Sequence, residues 1–165
     1  MDELITFSEL LNASIAAEDA AQKTYLAFKS MFLSHPDIAA FWQAMADDEE
    51  QHARILAGIH GRVSIEDLTV NVDIEMAEQA YKLQTLEVLG LTESVGNLDD
   101  AYRVAFELES SEINTVFNFL AIRFLSADES HRIVSEVIDR HLLRLAEFSR
   151  RFGTAEQCKL IAAIR

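Results

Sequence analysis

The side chains with the clearest chemical potential in this chain are acidic groups set among apolar residues. Positions seven apart lie within about 20° of each other around an α-helix, so they share one face. Near the start of the chain, one such face carries Leu4, Leu11, Glu18, Tyr25 and Phe32. An ionised carboxylate surrounded by apolar groups is costly unless another group compensates its charge. Glu18 is therefore a candidate functional residue.

The next helical stretch places two further polar residues on apolar faces. Glu49 and His52 each interrupt a run of apolar residues at seven-residue spacing. They are three positions apart, so they point to the same side of a helix. Together with Glu18, these residues place acidic and imidazole groups on two neighbouring helices. This combination indicates that a metal ion supplies the compensating charge.

The composition of the chain predicts a helical domain. It has 165 residues, half of them apolar, which is enough for one domain with a substantial core. One proline and five glycines are few, and alternating strand-like runs are scarce. These features favour an all-α protein.

The charge balance excludes several classes of partner. The formal net charge is −14, and the sequence has no basic patch that could pair with the phosphates of a nucleic acid or an anionic membrane. The start of the chain lacks the basic and apolar regions of a signal peptide, and no apolar run is long enough for a transmembrane helix. We therefore expect a cytoplasmic protein. The single cysteine, Cys158, cannot form an intrachain disulfide or hold a four-cysteine iron centre.

The breaks in the apolar pattern predict four long helices. They cover about residues 4–33, 37–60, 98–125 and 126–152. Pro36 fits only the first turn of a helix, and Gly61 is typical of the residue that follows one. Ser126 with Glu129 three positions later fits a capping box that opens the last helix.

Two tight turns and one long connection between these helices predict the architecture. Residues 1–153 are expected to form an antiparallel four-helix bundle, in which residues 62–97 make one long crossover connection. Residues 154–165 are expected to form a short C-terminal tail helix.

The candidate residues of the first hairpin are expected to lie at the same height. In an antiparallel hairpin, two residues are level when the turn lies midway between them. The midpoint between Glu18 and His52 is position 35, next to the break at Pro36. The first two helices can therefore bring these side chains together.

The second hairpin offers a choice between two histidines. The midpoint between Glu109 and His141 is position 125, beside the Ser126 cap. The midpoint between Glu109 and His131 is position 120, inside a stretch with no turn chemistry. His141 is therefore preferred, and Asp128 is interpreted as an ordinary acid in the first turn of the last helix.

Six residues make up the predicted metal centre. Glu112 lies three positions after Glu109 and is expected to face inward with it. The full set of predicted ligands is Glu18, Glu49, His52, Glu109, Glu112 and His141. Carboxylates mixed with imidazoles suit iron or manganese, and zinc is possible. A bundle in which four helices supply such ligands is typical of a di-metal carboxylate site.

Over about residues 4–150 the chain resembles the ferritin-like superfamily, and within it the rubrerythrins. The residues that carry the resemblance are Glu18 with Tyr25 seven later, Glu49-x-x-His52 and Glu109-x-x-Glu112. The resemblance implies two iron ions that react with peroxide or dioxygen, as in a peroxidase or a ferroxidase. It gives Tyr25 the role of a hydrogen-bond donor to Glu109 or to a ligand of the metal. It also implies a homodimer.

The sequence departs from the family pattern at three points. A second Glu-x-x-His is expected on the last helix, but Ile138 stands where its glutamate would be. Phe117 lies near the place of an expected second tyrosine, and the absence of a cysteine-rich rubredoxin domain implies an external electron donor. Glu112 could compensate for Ile138, which would leave one firm site and a weaker one at Glu109, Glu112 and His141. A second hypothesis is a non-catalytic helical bundle with a degenerate or single-metal site, acting as a binding or structural module.

Overall fold

The computed structural model describes residues 5–84, 92–110 and 112–153. Its helices are α1 (Phe7–Met31), α2 (Pro36–Arg62), α3 (Ile65–Leu68), α4 (Ile74–Gln84), α5 (Leu98–Glu109), α6 (Glu112–Phe124) and α7 (Ala127–Phe152). Within these ranges, the only pairing of extended backbone is an isolated antiparallel bridge between Thr6 and Asn71. The predicted all-α, ferritin-like helical bundle is confirmed. None of the described helices combines the length and the apolar content needed to cross a bilayer.

Helix α1 begins at a capping box. The Thr6 side chain accepts a hydrogen bond from the backbone N–H of Glu9, and the Glu9 carboxylate accepts one from the backbone N–H of Thr6 at 2.8 Å. Two N–H groups that an α-helix leaves unpaired at its start are thereby satisfied. The backbone and hydroxyl of Thr6 lower the pKa of Glu9. From this start, α1 packs along α2, its most extensive partner.

Helix α2 starts as predicted but ends slightly later. Pro36 occupies the first turn, where its missing N–H has no intrahelical partner to lose. The helix then continues through Gly61 to Arg62, and the extended residue Val63 caps it. Because Gly61 does not adopt a positive φ, the chain leaves the helix without the left-handed glycine that the sequence suggested.

The predicted single helix over residues 98–125 is divided. Helix α5 ends at Glu109, and the next described helix, α6, begins at Glu112. The Ser110 hydroxyl donates a hydrogen bond to the backbone carbonyl of Phe106. Serine hydroxyls compete in this way for backbone groups and weaken a helix interior. Asn114 supports the break, because its side-chain N–H donates to the Glu109 carbonyl at 2.7 Å.

Helix α7 begins at the capping box that the sequence predicted. The Ser126 hydroxyl accepts from the backbone N–H of Glu129, whose carboxylate accepts from the Ser126 N–H at 3.2 Å. The helix runs to Phe152 and is followed by Gly153. The predicted tail helix, residues 154–165, lies outside the described residues.

An aromatic cluster fills the core where α1, α2 and α7 meet. The rings of Tyr25 and Trp42 stack with their centroids 5.9 Å apart, and Phe28 meets Trp42 edge-on at 5.0 Å. Phe148 of α7 lies 5.6 Å from Trp42. The hydroxyl of Tyr25 points from this apolar cluster into a buried group of polar side chains.

Candidate metal centre

Four helices bring acidic and imidazole side chains into the interior of the bundle. The contributing residues are Glu18 from α1, Glu49 and His52 from α2, Glu109 from α5, and His141 from α7. All five are buried, and Glu18 has no exposed surface at all. Five of the six predicted ligands therefore meet at one place in the core.

The first hairpin joins three of these residues. His52 Nδ1 lies 3.0 Å from Glu49 Oε2 and 3.4 Å from Glu18 Oε2. This geometry agrees with the expectation that residues level with the Pro36 break face each other.

The second hairpin supplies the opposite wall. His141 Nδ1 lies 2.9 Å from Glu109 Oε2 and 3.4 Å from Glu49 Oε1. Glu49 thus reaches one histidine with each of its oxygens. The two imidazole rings, His52 and His141, stack with their centroids 4.7 Å apart. One ligand atom from each of Glu49, His52 and His141 lies within 4.8 Å of the others.

Tyr25 closes the site on the side of Glu109. Its hydroxyl donates a hydrogen bond to Glu109 Oε1 at 2.7 Å. Burial and the negative charge of Glu109 raise the pKa of Tyr25 well above its usual value, so the phenol keeps its proton. The donor role that the family resemblance implied for Tyr25 therefore has the required geometry.

The pKa values of the buried residues Glu109 and Glu49 shift in opposite directions. Burial alone would raise the pKa of Glu109, but the charge of His141 and the hydrogen bonds from His141 and Tyr25 lower it to about 2. Burial raises the pKa of Glu49 well above its usual value, and the neighbouring Glu109 and Glu18 add to this effect, although His141 opposes it. Without a cation, the cluster therefore favours a proton on Glu49 and a charge on Glu109.

His141 carries a positive charge in this arrangement. Burial alone would lower its pKa, but the carboxylates of Glu109 and Glu49 and a hydrogen bond with Asp48 raise the pKa to about 10. In the metal-free protein, the charged imidazole of His141 and a proton on Glu49 thus offset the negative charge of the carboxylates, as a metal ion can do.

Glu18 is the acidic residue of the cluster whose carboxylate lacks hydrogen-bond partners. It is fully buried, and within the described part of the chain neither of its carboxylate oxygens has a hydrogen-bond partner. Buried polar atoms are nearly always paired, so an unpaired carboxylate calls for a bound cation or a proton. The residues present therefore fit a metal ion.

Asp48 is a participant that the six ligands predicted from the sequence do not include. The structure buries it and places its Oδ2 3.4 Å from His141 Nε2 and 2.9 Å from Arg144 Nη1. Burial alone would raise the pKa of Asp48, but His141, Arg144 and Arg140 lower it. A carboxylate on the second nitrogen of a histidine fixes the direction of the first one. Its spacing of four from His52 was the available signal.

The structure also shows where most of the other residues discussed in the sequence analysis lie. Asp128 and His131 are exposed, in agreement with their rejection as ligands. Phe117 is buried, with its ring centroid 5.0 Å from that of His52, so it forms part of the apolar wall. Glu112 begins α6 and Ile138 lies within α7, but their side chains lie outside the described ones.

Comparison with known proteins agrees with this geometry. The family model described as Rubrerythrin matches residues 9–131, well over half of the chain. The match includes α1 from its third residue, all of α2 and the Glu109-x-x-Glu112 segment, whereas His141 lies beyond it. Neither the search of curated proteins nor that of solved structures finds a match. With a buried carboxylate–histidine cluster carried by a helical bundle, this chain belongs to the rubrerythrin family.

Proposed function

We propose that this protein is a di-iron carboxylate protein that reacts with peroxide or dioxygen, as a peroxidase or a ferroxidase. The observation that carries the proposal is the convergence of Glu18, Glu49 and Glu109 with two histidines in an apolar interior. Family membership supports iron as the metal. The chemistry of the donor set is compatible with this choice, because mixed carboxylate and imidazole ligands suit iron and manganese.

The chain offers six groups that would hold the metal. They are Glu18, Glu49, His52, Glu109, His141 and, as predicted from sequence alone, Glu112. A divalent cation would satisfy the unpaired oxygens of Glu18 and replace the proton that burial favours on Glu49. Bound iron would supply the electrons for reduction of peroxide or dioxygen.

The surrounding residues orient and shield these groups. Tyr25 donates to Glu109 Oε1 and thereby holds this carboxylate with Oε2 facing His141. The Asp48 carboxylate lies 3.4 Å from His141 Nε2, so that Nδ1 faces Glu49 and Glu109. Phe117 packs beside His52 and limits the entry of water. These contacts preorganise the site before any substrate arrives.

Two further partners belong to this proposal. The sequence contains one cysteine, so a peroxidase cycle would take its electrons from a donor outside these residues. Family habit suggests a homodimer. Exposed apolar side chains on α4 and at its start, such as Tyr81 and Ile74, are compatible with such an association.

Reconstitution with iron tests the proposal directly. Metal-free protein is loaded with Fe(II) without oxygen, freed of excess metal, analysed for bound iron and then mixed with hydrogen peroxide or dioxygen. We expect at least one bound equivalent and iron oxidation that is faster than in buffer. Glu18→Gln should lose metal, whereas Glu50→Gln should not, because Glu50 pairs with Arg54 on the surface. Less than one equivalent in folded protein would contradict the proposal.

Ile138 favours a second candidate, a helical module whose metal site has degenerated. In that case neither chelator nor added Fe(II), Mn(II) or Zn(II) should move the melting temperature. A ligand that binds only the folded state stabilises it by mass action, at about 2.7 kcal/mol when its concentration is 100 times its Kd. A metal-dependent rise in melting temperature would therefore exclude the degenerate module.

A further inference from the structure

We propose that a groove between α2 and α7 binds a small planar aromatic anion, such as an aromatic carboxylate. The groove has a volume of about 330 Å³, which is within the range of small-molecule sites. All of its lining residues belong to these two helices, and they include Ala40, Phe41, Arg144, Glu147, Phe148 and Phe152. None of them is a candidate metal ligand, so occupation of the groove does not require a bound metal.

Three phenylalanine rings form the apolar part of the groove. The rings of Phe41 and Phe148 stack with their centroids 4.1 Å apart, and the ring of Phe152 lies 5.1 Å from that of Phe148. Phe148 is buried, whereas Phe41 and Phe152 are partly exposed. Partly exposed rings offer faces and edges against which another planar ring can pack. This favours an aromatic ligand over an aliphatic one.

Arg144 supplies the group that can bind the anion. Its side chain is 29% exposed, and its Nη1 lies 2.9 Å from Asp48 Oδ2. Asp48 is its only ion-pair partner among the residues that the structure describes. A guanidinium has five N–H donors in a planar fork, and a carboxylate can accept from two of them at once. The donors that do not face Asp48 can therefore bind a ligand in the groove.

The charges around Asp48 leave a local excess of positive charge. The Asp48 carboxylate lies 3.7 Å from Arg140 Nη1, in addition to its contact with Arg144, and its Oδ2 is also 3.4 Å from the charged imidazole of His141. One carboxylate cannot balance two guanidinium groups. An anion beside Arg144 would therefore be attracted, although the chain as a whole is acidic.

The other charged residues of the groove are exposed and contribute less to binding an anion. Arg151 is already engaged, because it pairs with Asp37 at 2.9 Å and its guanidinium lies 4.9 Å from the centroid of the Phe152 ring. Glu147 would repel an anion, and its exposure to solvent weakens this repulsion. Neutralising Glu147 should therefore tighten the binding of an anion.

Calorimetric titration of the full chain with 2-naphthoate tests the proposal. The protein is freed of metal, so that the carboxylate of the probe has no ion to bind. We expect saturable binding of one molecule per chain. The neutral analogue 2-naphthamide should bind at least about tenfold more weakly, the loss expected for a hydrogen bond to a charged group. Cyclohexanecarboxylate, which has the charge without the aromatic ring, should also bind more weakly.

Substitutions of the charged residues test the role of Arg144. Arg144→Gln should weaken binding of 2-naphthoate at least about tenfold, and Glu147→Gln should strengthen it. Arg140→Gln is the matched control, because it also removes an arginine from Asp48 but does not alter a residue that lines the groove. It should weaken binding much less than Arg144→Gln does.

A larger side chain at Ala40 tests the position of the probe. Ala40 is an exposed residue of α2 that lines the groove, so Ala40→Phe should block binding. Ala57→Phe, at another exposed position of α2, should not. The indole N–H of Trp42, the single tryptophan, gives a separate readout, because its ring lies 4.8 Å from that of Phe41. Its NMR resonance should shift when 2-naphthoate binds.

The following results would overturn the proposal. They are equal affinity for 2-naphthoate and 2-naphthamide, binding that neither Ala40→Phe nor Arg144→Gln weakens, and absence of saturable binding in folded protein. Binding that appears only after residues 154–165 are removed would show that the chain itself covers the groove, and would overturn the proposal as well. If circular dichroism shows that Arg144→Gln does not fold, Ala40→Phe and the neutral probe decide.

Discussion

The hydroxyl of Tyr25 is a single atom on which the position of Glu109 depends. Tyr25→Phe keeps the ring that stacks on Trp42 but removes the donor to Glu109. We expect metal-free protein to lose about 1.5–3 kcal/mol of unfolding free energy, the usual contribution of a hydrogen bond to a charged group. Urea unfolding in the presence of chelator measures this loss. Tyr102→Phe, which removes a longer 3.4 Å contact to a backbone carbonyl, should cost less.

His141 gives the metal-free protein a distinct dependence on pH. Its pKa of about 10 in the folded state lies above the ordinary value of 6.5, so folding favours the charged form. The stability that this provides is complete below pH 6.5 and is lost as the pH rises through about 10. Urea unfolding with chelator at a series of pH values should show this decline. His141→Gln should weaken the dependence over this range; an unchanged slope would contradict the assignment to His141.

The residues of the centre could be found from sequence to different degrees. Glu18, Glu49 and His52 were accessible because a charged group inside an apolar seven-residue stripe is conspicuous, and the level of each was fixed by the Pro36 turn. Asp48 was not accessible in this way, because it lies at the border between the buried and solvated faces of α2. Its burial depends on Arg144 and His141 of α7, and no local pattern reports that packing.

Among the elements, the start of α7 has the clearest local stabilisation. Ser126→Ala removes the capping side chain and is expected to lower the unfolding free energy by about 1 kcal/mol. His141 lies fifteen positions after Ser126, so fraying of the first turn of α7 should leave that residue in place. Thermal and urea unfolding measure the change. Thr115→Ala, at an exposed position within α6, should cost nothing comparable.

Some helix boundaries could be predicted from local sequence signals, whereas others depend on packing. The Ser126–Glu129 box and Pro36 satisfy or remove specific backbone N–H groups, so their positions were predictable. The end of α5 at Glu109 was not, because the apolar pattern continues through it. There the Asn114 side chain takes the Glu109 carbonyl, which a continuous helix would pair with the backbone N–H four residues later.

At the scale of the whole molecule, a net charge of −14 should draw cations toward the protein. Raising the ionic strength from 0.01 M to 0.15 M shortens the screening length from about 30 Å to about 8 Å. The association rate of Co(II) should therefore fall over this range, whereas its dissociation rate from the buried site should change little. Stopped-flow absorption measures both rates. An association rate that does not respond to salt would show that entry into the core, and not the surface field, limits binding.

The candidate ligands are spread over most of the folded chain, from Glu18 in α1 to His141 in α7. A captured ion would consequently act as a cross-link between remote parts of the sequence, and the helices could not separate until it departed. Resistance to unfolding would then be governed by how slowly the ion escapes, so that the same protein would be short-lived under chelation and persistent when loaded.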